Sequence, residues 1–345
     1  MKKSRRISRL PCCLIVSLMF FIFICFIFHH FSDHPNSQSL VVSKPTLPNS
    51  QHDLERKTLL RAALRKASMI DRTVILTVVN ETWAKPASIL DLFLESFRIG
   101  EGTERLLNHL LIVAEDSRAF QYCNSKHPHC FKLENLTKKL TKTPPGTQGS
   151  LMFSPTRLIL LTQVIEFGYN VVFTNADVMW LRNPLSKLVP NSDLSIGCEL
   201  YPIDAKTFGI KGDGGFFHLK ANARTFEFIR TCNLNRVLYP DDSEHQSLCK
   251  ISEKGEYIGL IGVEVSYFNE EKFGRLCLPC DLKQILTVQA NCCENIDSKI
   301  HDMKLVLDDW RNFVQLSANN VSSKQTPSSW RAPEKCITGI DSAVV

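Results

Sequence analysis

The sequence predicts an α/β fold: a mostly parallel sheet with helices on both faces, forming a single lumenal domain behind a transmembrane anchor. Three observations carry this expectation. Runs of β-branched and apolar residues at Thr73–Val79, His109–Ala114 and Tyr169–Thr174 read as strands buried on both faces. Segments with a helical apolar face, Ile89–Phe97 and Leu158–Phe167, alternate with those strands. Such alternation builds parallel sheets whose ligands sit beyond the carboxyl ends of the strands. Ahead of them, Cys12–Phe31 is apolar except for Ser17, His29 and His30, and about 20 apolar residues span a bilayer.

Taken in order, the chain opens with a basic cluster, Lys2, Lys3, Arg5, Arg6 and Arg9. By the positive-inside rule this keeps residues 1–11 cytosolic and everything after the span lumenal. Phe28-His29-His30-Phe31 offers no small-residue cleavage signature, so residues 12–31 read as the signal anchor of a single-pass type II protein. A span this short suits a thin, early secretory membrane. Residues 32–70 read as a stem. Ser32–Ser50 is rich in Ser, Pro, Asn and His, a composition that cannot bury a core. Leu54–Ile70 has a helical pattern that either ends the stem or opens the domain. The domain proper is set at 71–316. Within it Pro155 sits where a helix starts and Gly168 where it stops. Asp193–Cys198 and Phe216–Leu219 read as short strands, Asn222–Leu238 as a helix, and Asp297–Phe313 as an amphipathic helix. The Ser, Pro and Thr content beyond Asn319 predicts a loose tail over 317–345.

Against 41 Lys and Arg stand 35 Asp and Glu, and the excess lies largely in the N-terminal cluster, so charge gives no case for a nucleic-acid partner. Of the thirteen cysteines, Cys12, Cys13 and Cys25 lie in the span and the remaining ten lie beyond it, an even number in a compartment that permits disulfides. Cys123 and Cys130 can close a small loop, and Cys277, Cys280, Cys292 and Cys293 cluster late. Zinc is the rival reading of that cluster, which lacks a second Cys-x-x-Cys at ribbon spacing. Asn80, Asn135 and Asn320 begin glycosylation triplets, usable if lumenal.

The chemistry concentrates where the third strand runs into Asn175-Ala-Asp177-Val-Met-Trp180-Leu-Arg182-Asn-Pro184. An acid at the carboxyl end of a buried strand is poorly placed for stability and well placed to hold a divalent ion, Mn²⁺ or Mg²⁺. Such an ion bridges a diphosphate and neutralises the charge that builds on it when its bond to a sugar breaks. The plain alternative is an Asp that caps a turn.

Phe173–Pro184, Thr73–Gly102, His127-Pro-His-Cys130-Phe, Asp213-Gly-Gly-Phe216, Ala290-Asn-Cys-Cys293, Asp297–Asp302 and Leu307-Asp-Asp-Trp310 resemble, in order and spacing, the plant nucleotide-diphospho-sugar transferases of glycosyltransferase family 77. The resemblance covers about residues 73 to 335. It implies a Rossmann-like GT-A fold, a metal-dependent UDP-sugar site, retention at the anomeric carbon, and a glycan or glycoprotein acceptor in the Golgi lumen. Position by position it places Asp177 on the metal, Asn175 near the ribose, Arg157 near the diphosphate, and Asn80 in the loop that holds base or ribose. Asp213, Glu244 and His245 face the acceptor in the same alignment. The family pattern has Asp where this chain has Asn175, His as a metal ligand where it has Gln289, and Asp-Gln-Asp where it has Glu244-His245-Gln246. These exchanges remove negative charge and leave Gln289, a neutral and weaker oxygen donor, beside Asp177 as the metal ligands the resemblance implies. A second reading is therefore a non-catalytic relative that binds glycans or supports a partner glycosyltransferase in a hetero-complex. A third, a disulfide-rich adhesion module, leaves the strand–helix rhythm unexplained. Trp180 reads as a packing residue rather than a stacking platform, and Asp213-Gly-Gly reads equally as a plain turn.

Overall fold

The computed structural model describes residues 50–133, 155–202, 208–238, 260–269, 271–278, 280–293, 295–318 and 329–336. The chain divides into two units, Met1–Glu55 and Arg56–Val345, and the sheet and its covering helices belong to the second. The predicted membrane span lies outside the described residues, and among those described no helix is long and apolar enough to cross a membrane.

The elements run α1 (Ser50–Ala67), β1 (Thr73–Val79), α2 (Ile89–Ile99), β2 (Leu110–Ala114), α3 (Ser117–Lys126), β3 (Cys130–Lys132), α4 (Pro155–Glu166), β4 (Asn170–Thr174), β5 (Val178–Trp180), β6 (Leu194–Pro202), β7 (Phe208–Leu219), α5 (Ala223–Leu238), β8 (Val265–Tyr267), β9 (Phe273–Arg275), β10 (Thr287–Gln289) and α6 (Ile296–Ala318). The main sheet has the order β3-β2-β1-β4-β7-β6-β8. It is parallel from β3 through β4, antiparallel on both sides of β7, and parallel again between β6 and β8. β5, β10 and β9 form a small second sheet.

β1 shows why its sequence is apolar throughout: both of its faces are covered. Val74, Leu76 and Val78 belong to a core with Leu60, Leu64 and Ala67 of α1, Leu158 and Leu161 of α4, and Phe228 and Ile229 of α5. Ile75 and Val79 belong to the opposite core with Phe93 and Phe97 of α2, Trp180 of β5, and Val306 and Trp310 of α6. The alternation follows from the two-residue period of a strand. Gly168 ends α4 at φ +76°, a left-handed turn that a side chain would strain, and its N–H donates to the Ile165 carbonyl.

Two boundaries move relative to composition. The helix assigned to the stem, α1, buries Leu60, Leu64 and Ala67 on the sheet, so from Arg56 on it is part of the domain. Residues 329–336, assigned to a loose tail, are tied down. Buried Asp302 accepts the N–H groups of Glu334, Lys335 and Cys336, Trp330 donates to the Leu276 carbonyl, and Cys336 is bridged to Cys293. Two buried anchors and a cross-link outweigh the polar composition between them. Disulfides also join Cys123 to Cys130 and Cys277 to Cys292, which takes up the cysteines a zinc reading of the late cluster needs; Cys280 is a free thiol.

Candidate active site

Strand order reverses between β1 and β4, where β2 and β3 extend one way and β7 the other. Beyond the carboxyl ends of such a pair a crevice opens. β4 delivers Asn175 and Asp177 there, β1 leads into the Asn80 loop, and β2 leads into Glu115. β7 runs alongside with Gly215, whose carbonyl accepts the Asn175 N–H at 2.6 Å.

Asn175 and Asp177 are both buried, at 9% and 3% exposure. The Asn175 Oδ1 accepts from Nη1 of Arg157 at 3.3 Å, and the buried guanidinium lies 5.6 Å from the Phe173 ring centre. Asp177 Oδ2 is held by the Nζ of Lys299, from the first turn of α6. The same ammonium sits 5.2 Å from the centre of the Trp83 ring. Asp177 Oδ1 is buried with no hydrogen-bond partner. An orphaned carboxylate oxygen costs free energy until something donates to it. Glu115 interacts with Arg157; burial pushes its carboxyl above the ordinary value, the guanidinium opposes this, and Asp116 adds to it.

Gln289, on β10, lies against Gly215. A Cβ there would come within 2.1 Å of the Gln289 Nε2, so a side chain at this position would displace the Gln289 amide. Gln289 also lines a small cavity with Phe216, Phe268 and Phe273. Asn80 spends its side-chain oxygen locally, accepting from the N–H groups of Thr82 at 3.1 Å and Trp83 at 3.3 Å, which shapes the loop that carries Trp83. Asp213 lies on β7 opposite Gly197, with its side chain outside the described residues; Glu244 and His245 also fall outside them. The structure thus brings Arg157, Asn175, Asp177 and Gln289 to one end of the sheet, and sets Asn80 at the start of the adjoining loop.

The second half of the motif builds the fold. Trp180 is fully buried, stacked on Phe97 at 4.6 Å, and its indole N–H donates to Thr174. Arg182 lies 4.6 Å from the Trp310 ring centre and donates to the carbonyls of Leu282 and Ile285.

A divalent Mn²⁺ or Mg²⁺ takes about six oxygen ligands, commonly one or two protein carboxylates that are free to coordinate together with waters and substrate phosphates. Among the described residues no group of three His, Cys, Asp or Glu converges. Asp177 is half engaged by an ammonium and Gln289 is neutral. The described side chains therefore do not fit a divalent cage.

Sequence reasoning missed Lys299 and Glu115. Glu115 follows a buried strand as Asp177 does, and the same argument would have found it. Lys299 carries a different signal: a cation in the first turn of a helix opposes the macrodipole, so its position asks for another reason.

The profile of the nucleotide-diphospho-sugar transferase family matches residues 105–303. This chain belongs to that family. As a nucleotide-diphospho-sugar transferase it is a glycosyltransferase. The Arabidopsis thaliana protein At4g15970 is 34% identical over 304 residues, 85% of this chain and 76% of that one. The Arabidopsis thaliana UDP-D-xylose:L-fucose alpha-1,3-D-xylosyltransferase is 27% identical over 147 residues, 42% of this chain and 38% of its own. Among solved structures, the glycosyltransferase GlyE of Streptococcus pneumoniae aligns with 69% of this chain and 63% of its own at 9% identity, with a TM-score of 0.41.

Proposed function

We propose that this transferase moves a sugar from a UDP-sugar to a glycan or glycoprotein acceptor, with retention of configuration, as a GT-A enzyme anchored in the Golgi membrane as a single-pass type II protein. The observation that carries the donor assignment is the cluster of Arg157, Asn175, Asp177 and Lys299 beyond the ends of β1 and β4. Two cations set in a mostly buried place suit a diphosphate. The relative that bears the name of a UDP-xylose-dependent transferase supports uridine as the nucleotide. Asp213, Glu244 and His245 are assigned to the acceptor side, with Asn80 and Trp83 beside the nucleoside.

In this reading the chain acts chiefly by charge. As the sugar–phosphate bond breaks, negative charge grows on the departing UDP, and donors already held in place meet it without having to reorganise. Arg157 is held by Asn175, and Lys299 by Asp177.

Calorimetric titration of the full-length protein with UDP, GDP, ADP and a panel of UDP-sugars tests the reading. UDP and at least one UDP-sugar bind, GDP and ADP bind at least about tenfold more weakly, and Arg157→Ala weakens UDP by about tenfold or more. A folded protein that binds no nucleotide would favour the non-catalytic glycan-binding alternative.

A further inference from the structure

We propose that Lys299 is a built-in cation of the donor site, an ammonium that meets the diphosphate where a divalent ion was expected, so that this chain binds its nucleotide without a metal. The inference rests on the donor reading above and names the source of charge within it.

Four observations carry it. First, the pairing is direct and mostly dry: the Lys299 Nζ holds Asp177 Oδ2, with side-chain exposures of 12% and 4%. A buried carboxylate needs a counter-charge, and here the chain supplies one. Second, two cations stand at this end of the sheet, Lys299 beside Asp177 and Arg157 beside Asn175 and Glu115. Adding a divalent ion would set two more positive charges beside an ammonium, whereas a diphosphate meets complementary charge.

Third, the neighbours of that pair are neutral: Asn175 and Gln289 are carboxamides, and the carboxylate of Asp177 is the one that Lys299 neutralises. Asn175 is not idle, since its amide oxygen accepts from Arg157. Fourth, Asp177 Oδ1 is buried and unpartnered. With Oδ2 engaged by Lys299, that oxygen is an acceptor waiting for an O–H, and a sugar or ribose hydroxyl of the donor supplies one. Trp83 completes the arrangement: its ring face lies 5.2 Å from the ammonium and keeps Lys299 turned into the site. The first-turn position of Lys299 on α6, unfavourable to the helix dipole, is accounted for by its pairing with Asp177 and the donor.

The test is UDP binding by the full-length protein, titrated calorimetrically in excess EDTA and in Mn²⁺. We expect wild-type affinities in the two conditions to agree within about threefold. In EDTA, Lys299→Met should weaken UDP by about tenfold or more, the scale of one lost charge-assisted hydrogen bond, while Lys299→Arg retains most of it. A wild-type protein whose UDP affinity falls about tenfold or more in EDTA overturns the proposal and leaves the donor reading intact. So does a Lys299→Met protein that binds UDP in EDTA as tightly as wild type. No UDP binding by folded wild-type protein in either condition overturns both. If Lys299→Met fails to fold, the wild-type comparison decides by itself.

Discussion

Two buried aspartates in this molecule, Asp193 and Asp177, look alike in the sequence and differ in what surrounds them. Asp193 stands just before β6 at 1% exposure, and every side of its carboxylate is used. Arg224 donates through Nε and Nη2, Asn222 through Nδ2, and the Glu264 N–H closes the fourth contact. Burial alone would raise this carboxyl, but those hydrogen bonds and the Arg224 charge outweigh it and hold the group below its ordinary value. Asp177, at 3% exposure, has the Lys299 ammonium on one oxygen and nothing on the other. A saturated carboxylate cements a fold. One left half open at the carboxyl end of a parallel sheet is set up to receive something.

The largest effect that sharpens this contrast falls on Asp193. Asp193→Ala should cost about 2–4 kcal/mol in chemical denaturation, because it strands the Asn222 amide and the Glu264 N–H, and UDP affinity of the folded fraction should not change.

The next effect comes from acid. His218 on β7 is buried with no partner on Nδ1; burial, helped by Lys220 and opposed by Asp71, pushes its pKa down to about 4. The unfolded chain takes up that proton at a pH of about 6.5 and the folded one only near 4, so stability should fall by roughly 3 kcal/mol between those values and level off below. Asp193 works at lower pH. Its folded value lies below the unfolded one, so its contribution is present above about 4 and lost as pH falls through the depressed value. Denaturation midpoints across pH should therefore show two separate losses, with His218→Phe removing the first alone.

The smallest stability effect is expected at the open site. Asp177→Asn combined with Lys299→Met neutralises both partners together, and should leave stability within about 1 kcal/mol of wild type while UDP affinity drops by about tenfold or more. A loss as large as that of Asp193→Ala would make Asp177 a second structural aspartate and erase the contrast.

Much of this was legible in the sequence. β1, β2 and β4 are apolar on both faces because helices cover both, and such runs stand out; Pro155 and Gly168 bracket α4. Asp177 was found because an acid at the end of a buried strand has no packing reason to be there. Lys299 was not, since it lies 122 residues from Asp177 along the chain and nothing local marks the meeting. Short strands such as β5, β9 and β10 exist only through their pairing with one another, and no three-residue run announces that. The composition beyond Asn319 misled because Trp330 and Cys336 find partners, Leu276 and Cys293, far upstream.

The most direct test of the account is where UDP lands, read by hydrogen–deuterium exchange of the full-length protein with and without the nucleotide. The account predicts slowed exchange in the loop from Asn80 to Trp83, at Asn175–Asp177 and in the first turn of α6, with the Asp193 and Arg224 region unchanged. Protection confined to that second region, or none at the end of β4 under saturating UDP, would contradict it.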